Sequence, residues 1–171
     1  YELDLCSARW FHAITMTLKL YNLKTDFLAK GDGQKVSGTI SINNGSVSFN
    51  VSASLFVTGD VGKTIGFTTS DLDVNGRPVR FSSTIATRPS PTQITLHDTF
   101  TGTSLVSSVQ TVEWGTDDAP AFDAFNAAAL AWQASHPGDT FELVLDAGIF
   151  ELATVTGASG HFVAGIKNIL V

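Results

Sequence analysis

The chain has 171 residues, 43% apolar and 15% charged, with sixteen acidic against ten basic side chains and a net charge of −6. That balance excludes disorder and fits one domain of ordinary size or two small ones. Uniform acidity repels phosphate backbones and anionic lipid, which argues against nucleic acid as a partner, and no apolar run reaches the ~18–20 residues of a membrane span, so no membrane insertion is expected.

The single cysteine, Cys6, rules out an internal disulfide framework and a multi-cysteine zinc site. The N-terminus has no basic stretch leading into an apolar core, so no signal peptide is read. The chain starts without Met, so either processing or a longer polypeptide is expected, and the strand-like run that closes it over 164–171 favours the second.

In chain order, Trp10 and Phe11 stand in a short leader within 1–26. They are candidates for docking on another protein, against the ordinary preference of aromatics for their own core. Residues 14–21 then alternate, with Ile14, Met16, Leu18 and Leu20 on one face, the period of a half-buried strand. Phe27-Leu28-Ala29-Lys30-Gly31-Asp32-Gly33 reads as a strand running into a glycine turn.

From 36 to 112 the chain is rich in Ser, Thr, Val and Ile, with Gly, Asn, Asp and Pro at short intervals. The spacing predicts strands at 37–42, 46–51, 64–69, 78–86, 93–97 and 105–113. Asn44-Gly45 and Asn75-Gly76 suit hairpin turns, because both central residues reach positive φ cheaply. Together these mark a small antiparallel sandwich or barrel inserted within a larger fold.

Two motifs inside this stretch invite chemistry. Gly62-Lys63-Thr64 resembles the tail of a phosphate loop, but Val57 stands where the earlier glycine belongs and no helix pattern follows. Asp71-x-Asp73-x-Asn75-Gly76 has the spacing of the first half of a calcium loop, yet Ser82 replaces the closing bidentate Glu. A hairpin turn accounts for it better, and a calcium ion completed by another segment is the alternative; no other cofactor is indicated.

One helix is expected at 119–135. Asp117 or Asp118 caps it, Pro120 suits its first turn, and Phe122, Phe125, Ala129 and Trp132 form one apolar stripe. His136-Pro137-Gly138 stops it. A strand at 140–145, a tight turn at Asp146-Ala147-Gly148 and a strand at 149–152 follow. Asp117 and Asp118 are adjacent and cannot readily flank a sugar as the two carboxylates of a glycosidase do, so capping and the helix dipole explain the pair. The four histidines, His12, His97, His136 and His161, are scattered without zinc spacing. No catalytic constellation is recognisable.

Gly115-Thr116-Asp117-Asp118, the helix, and Asp146-Ala147-Gly148-Ile149-Phe150 resemble the N-terminal region of the pectate-lyase-like right-handed parallel β-helix superfamily. Phe27 to Gly33 resembles the F-G-A-K-G-D-G stretch that ordinarily precedes the acidic pair directly, with Leu28 in place of the second-position glycine. The segment Phe56-Val57-Thr58-Gly59-Asp60-Val61-Gly62-Lys63-Thr64-Ile65 is similar to insertions in phage and bacterial members. The resemblance implies a mainly β chain: the start of a parallel β-helix over 27–35 and 113–171, with one capping α-helix covering its open end and an inserted β-domain at 36–112. Asp146 and Gly148 would then form the turn that starts the β-helix.

The resemblance further implies a structural and attachment part of a virion spike or fibre of the phage tailspike type. Its expected location is the virion surface, as a homotrimer, with other virion proteins and host surface polysaccharide as partners. The alternatives are the non-catalytic N-terminal part of a polysaccharide lyase or glycoside hydrolase whose active site lies beyond 171, and a secreted bacterial carbohydrate-binding adhesin.

Overall fold

The computed structural model describes residues 18–137 and 140–150, and the backbone of 169–170. Strand β1 (Leu18–Asn22) leads into a one-turn helix α1 (Leu23–Phe27). Strands β2 (Gln34–Ile42), β3 (Ser48–Val51), β4 (Thr64–Leu72), β5 (Pro78–Ser90), β6 (Gln93–Leu96) and β7 (Leu105–Gly115) follow. Helix α2 (Ala119–Ser135), strand β8 (Thr140–Val144) and the short β9 (Ile169–Leu170) complete the order.

Strands β2 to β7 close into an antiparallel barrel in the order β2-β3-β6-β5-β4-β7, with β7 pairing back onto β2. Closure leaves no sheet edge along the barrel, which suits a chain this rich in strand formers. The alternation read from the sequence sends Ile40, Ile42, Phe49, Ile65, Phe67, Ile85, Ile94, Val112 and Trp114 inward, all buried. Phe56 and Phe100 enter from loops and plug the interior. Phe49 packs on Phe67 with ring centroids 4.9 Å apart, and Phe56 meets Trp114 at 5.3 Å. Gly45 and Gly76 adopt φ of 78° and 74°, so the two Asn-Gly pairs do turn the chain.

The second layer is small. β1 pairs in parallel with β8, and β8 in parallel with β9. Helix α2 lies over one face of this sheet and buries Phe122, Phe125 and Ala129 against Phe141, Leu143 and Leu23. Phe125 meets Tyr21, Phe27 and Phe141 edge-on at 5.8, 5.9 and 6.2 Å.

This architecture corrects the expected fold. The chain is mainly β, but it combines a closed six-stranded antiparallel barrel with a small parallel sheet, and it is not a parallel β-helix. The physical reason lies in the pairing: short connections join β2 to β3, β4 to β5 and β5 to β6 antiparallel, and β7 closes the sheet by pairing with both β2 and β4. Parallel pairing among the described residues is confined to β1, β8, β9 and one bridge between Asp32 and Ile149. Helix α2 accordingly packs on a sheet face rather than over the open end of a coil.

The facing of β1 is also opposite to expectation. Leu18 and Leu20 are 51% and 56% exposed, whereas Tyr21 points into the core. Register decides this, because Lys19 and Tyr21 stand opposite Phe141 and Leu143, on the side that α2 covers. Lys19 remains there by laying its ammonium 5.3 Å from the Tyr21 ring and 5.6 Å from the Trp132 ring.

Helix α1 is absent from the sequence reading, which took Phe27 as part of a strand. Asn22 caps it, its Oδ1 accepting hydrogen bonds from the Lys24 and Thr25 N–H groups at 2.9 and 3.0 Å. Leu28 ends it in the left-handed conformation, φ 64°, with its side chain 75% exposed. A Cβ in that conformation crowds the backbone, whereas glycine adopts it freely. Leu28→Gly is therefore expected to raise stability by about 1 kcal/mol, measured by chemical denaturation; a loss of stability would contradict this account.

Candidate functional site

The two halves of the split motif meet where the chain leaves the parallel sheet for the barrel and returns from it. Asp118 is 2% exposed and occupies the position before α2, but its carboxylate does not cap that helix. It reaches across the fold instead, accepting hydrogen bonds from the Lys30 N–H at 2.6 Å and the Gly31 N–H at 3.0 Å. Asp117 takes the local bond, its Oδ1 accepting from the Ala119 N–H at 3.0 Å.

Asp32 makes the reciprocal contact. Its carboxylate accepts from the Thr116 N–H at 2.8 Å and the Thr116 hydroxyl at 3.1 Å, and pairs with Lys63 at 3.0 Å. Lys63 also pairs with the buried Asp60 at 3.2 Å, and Asp60 in turn accepts from the Val57 N–H at 2.8 Å. The Gly62-Lys63-Thr64 stretch thus serves as a brace between barrel and junction. Burial pushes the Asp32 carboxyl up, but hydrogen bonds from Thr116 and Lys63, with the Lys63 charge, outweigh it and hold the group below the usual carboxylate range.

The third motif segment closes on the first. The Gly33 N–H donates to the Ile149 carbonyl at 2.9 Å, and the Ile149 N–H donates to the Gly31 carbonyl at 3.2 Å. Here glycine is required by space. A Cβ on Gly148 would stand 2.5 Å from the Gly31 carbonyl oxygen, and one on Gly33 would stand 2.6 Å from the Ile149 carbonyl oxygen. Asp146 accepts from the Asn22 side-chain amide at 2.9 Å, and Lys24 donates to the Ala147 carbonyl at 2.6 Å. Asp146 and Gly148 therefore belong to a junction with the first motif half, and among the described residues they start no β-helix coil. Trp10 and Phe11 lie outside the described residues.

The calcium-like motif is a hairpin turn. Asp73 Oδ1 accepts from the Asn75 and Arg77 N–H groups at 2.8 and 2.9 Å, which draws its carboxyl below the usual range. Asp71 turns elsewhere, to the Thr103 N–H at 2.8 Å and the Thr103 hydroxyl, and these bonds lower its carboxyl likewise. Asp71, Asp73 and Asn75 hence do not converge. Among the described residues no group of three or more His, Cys, Asp or Glu is placed to hold a metal.

The sequence reading passed over a cleft at one mouth of the barrel, although Asp71 lies in it. The cleft is about 320 Å³ and is lined by Thr69, Asp71, Arg80, Phe81, Thr101 and Gly102, with Phe100 below. Phe81 is half-buried and stands at right angles to Phe100, centroids 5.2 Å apart. Arg80 pairs with Glu113, which Lys35 also engages at 2.6 Å. A second cleft of about 230 Å³, beside Trp114, contains Asp60 and Lys63, both committed to the brace.

Two measurements check the junction. Asp118→Ala leaves two N–H groups without their charged acceptor, and is expected to cost about 2–4 kcal/mol in denaturant unfolding; a cost under about 0.5 kcal/mol would refute the clamp. Asp32, with its carboxyl lowered on folding, contributes stability that is present above the ordinary carboxyl range and lost as pH falls through the folded value. Stability should thus fall below about pH 4, less steeply in Asp32→Asn, by urea unfolding across pH.

No protein-family model matches this sequence, and no curated protein matches it. Among solved structures, the chain has a distant resemblance to the Gp54 tailspike of Acinetobacter baumannii bacteriophage AP22, in complex with A. baumannii capsular saccharide. There the identity is 11% over 67% of this chain and 17% of that one, with a TM-score of 0.36. The Pseudomonas phage phi297 tailspike gp61 is similar at 10% identity over 80% of this chain and 21% of that one, with a TM-score of 0.37. The chain spans about a fifth of the length of these tailspikes, and what it shares with them is a partial, distant structural likeness.

Proposed function

We propose that this chain is a structural and attachment part of a virion spike or fibre of the phage type, holding the barrel as a fixed module on a parallel-sheet body. In this reading the complete protein is a homotrimer at the virion surface, in contact with other virion proteins and with a host surface polysaccharide. The observation that carries the structural part is the double clamp, Asp118 on Lys30 and Gly31 and Asp32 on Thr116. It binds both chain crossings between barrel and body to each other, so the barrel is mounted without a free linker.

The acidic side chains support the same reading. Asp32, Asp60, Asp73, Asp118 and Glu113 each accept from backbone N–H groups or basic side chains. They brace the fold. A capsular saccharide is what the Acinetobacter phage tailspike holds, and a polysaccharide is the partner proposed for this chain.

Analytical sedimentation of the full-length protein tests the assembly. A trimer stable on dilution is the expected result, and a monomer at every concentration would overturn the spike reading. Depolymerisation of a bound polysaccharide, lost on mutating carboxylates outside this chain, would favour the polysaccharide lyase or hydrolase alternative instead.

A further inference from the structure

The cleft at the mouth of the barrel is a built pocket with a definite chemical character. Asp71 forms one wall and is held by the backbone N–H and hydroxyl of Thr103, one to each carboxylate oxygen. Each oxygen keeps a further acceptor position, since a carboxylate offers about four lone-pair sites. Thr69 links the same wall to the sheet, accepting from the Asp71 N–H at 3.2 Å and donating to the Val79 carbonyl at 3.0 Å. Phe81 supplies an aromatic wall fixed from behind by Phe67 and Phe100, at 5.4 and 5.2 Å.

Gly102 keeps the space open. A Cβ at Gly102 would stand 2.6 Å from Asp71 Oδ2 and 2.8 Å from the Phe100 ring. Gly102 does not have positive φ, so space rather than conformation calls for glycine there. Asn44 fixes the rim by donating its side-chain amide to the Thr101 and Gly102 carbonyls at 3.0 and 2.9 Å.

The ligand class follows from the walls. A small anion would face the Asp71 carboxylate, and a small cation would find one carboxylate beside the apolar walls of Val79, Phe81 and Phe100. A neutral ring with hydroxyls on its rim and C–H groups on its faces satisfies both, giving O–H groups to Asp71 and an apolar face to Phe81. At about 320 Å³ the cleft is at the lower end of the range for small-ligand pockets, about 300–1,000 Å³. We infer that it is a saccharide subsite taking one neutral pyranose residue of a glycan. This rests on the reading of the chain as an attachment protein, and assigns the contact to the barrel.

The test is amide NMR of the full chain titrated with the methyl glycosides of glucose, galactose, mannose and N-acetylglucosamine, up to about 100 mM, since a single-residue contact is of millimolar strength. Shifts concentrated at Asp71, Gly102 and Thr103 with at least one glycoside are expected. Asp71→Asn should weaken that binding about tenfold by removing a charged acceptor. Gly102→Val should abolish it by filling the cleft; if that variant fails to fold, Phe81→Ala serves in its place. Absence of these shifts with all four glycosides, or equal shifts in the variants, would overturn the subsite. A trimeric protein that binds polysaccharide equally well with Gly102→Val would keep the spike reading and remove the cleft from it.

Discussion

The fold depends on one buried carboxylate reaching across almost ninety residues of chain. Asp118 gives both oxygens to the N–H groups of Lys30 and Gly31, at the end of the segment that leads into the barrel. A charged acceptor at short range makes the stronger kind of hydrogen bond, and the low exposure of Asp118 limits competition from water. Closing so long an insertion costs loop entropy that grows only slowly with length, so a few strong contacts at its base can hold it. Asp32, binding Thr116 from the opposite side, makes the closure reciprocal.

Around that clamp the backbones approach too closely for side chains. Gly33 and Gly148 sit where Ile149 and Gly31 carbonyls leave no room for a Cβ, and Leu28 bears a left-handed conformation beside them. Tight backbone packing and carboxylate bonding thereby fix the same few residues. The barrel needs little from the body: its strands pair only with each other, and its aromatic core is contiguous from Phe56 through Phe49 and Phe67 to Phe81. Closure and clamping solve separate problems, the first for the strand edges and the second for the attachment point.

Much of this was legible in the residues. The six barrel strands follow the alternation of Ile, Val and Phe with Ser and Thr. The helix Ala119–Ser135 begins and ends where Pro120 and His136 place its limits. These are local signals, set by periodicity and turn chemistry. The parallel β-helix was misjudged because it came from resemblance at the motifs, and motifs of this size specify a junction and not what is stacked upon it. The one-turn helix Leu23–Phe27 escaped because its cap, Asn22, directly follows the alternating stretch at 14–21, and Phe27 was taken with the glycine turn after it. The cleft escaped because its walls come from three stretches far apart in sequence, around Asp71, Phe81 and Gly102.

The sequence by itself determined the six strands of the barrel, the turns at the two Asn-Gly pairs and the span of helix α2. Only the tertiary structure decided what those elements do to one another. It turned Asp118 away from the helix it precedes, left Leu18 and Leu20 on the open face while Tyr21 went inward, and closed the strands into a barrel. The physical reason is range. Propensity and periodicity act over a few residues, whereas the partner of a carboxylate, the facing of a strand and the closure of a sheet are set by segments that meet only when the chain is folded.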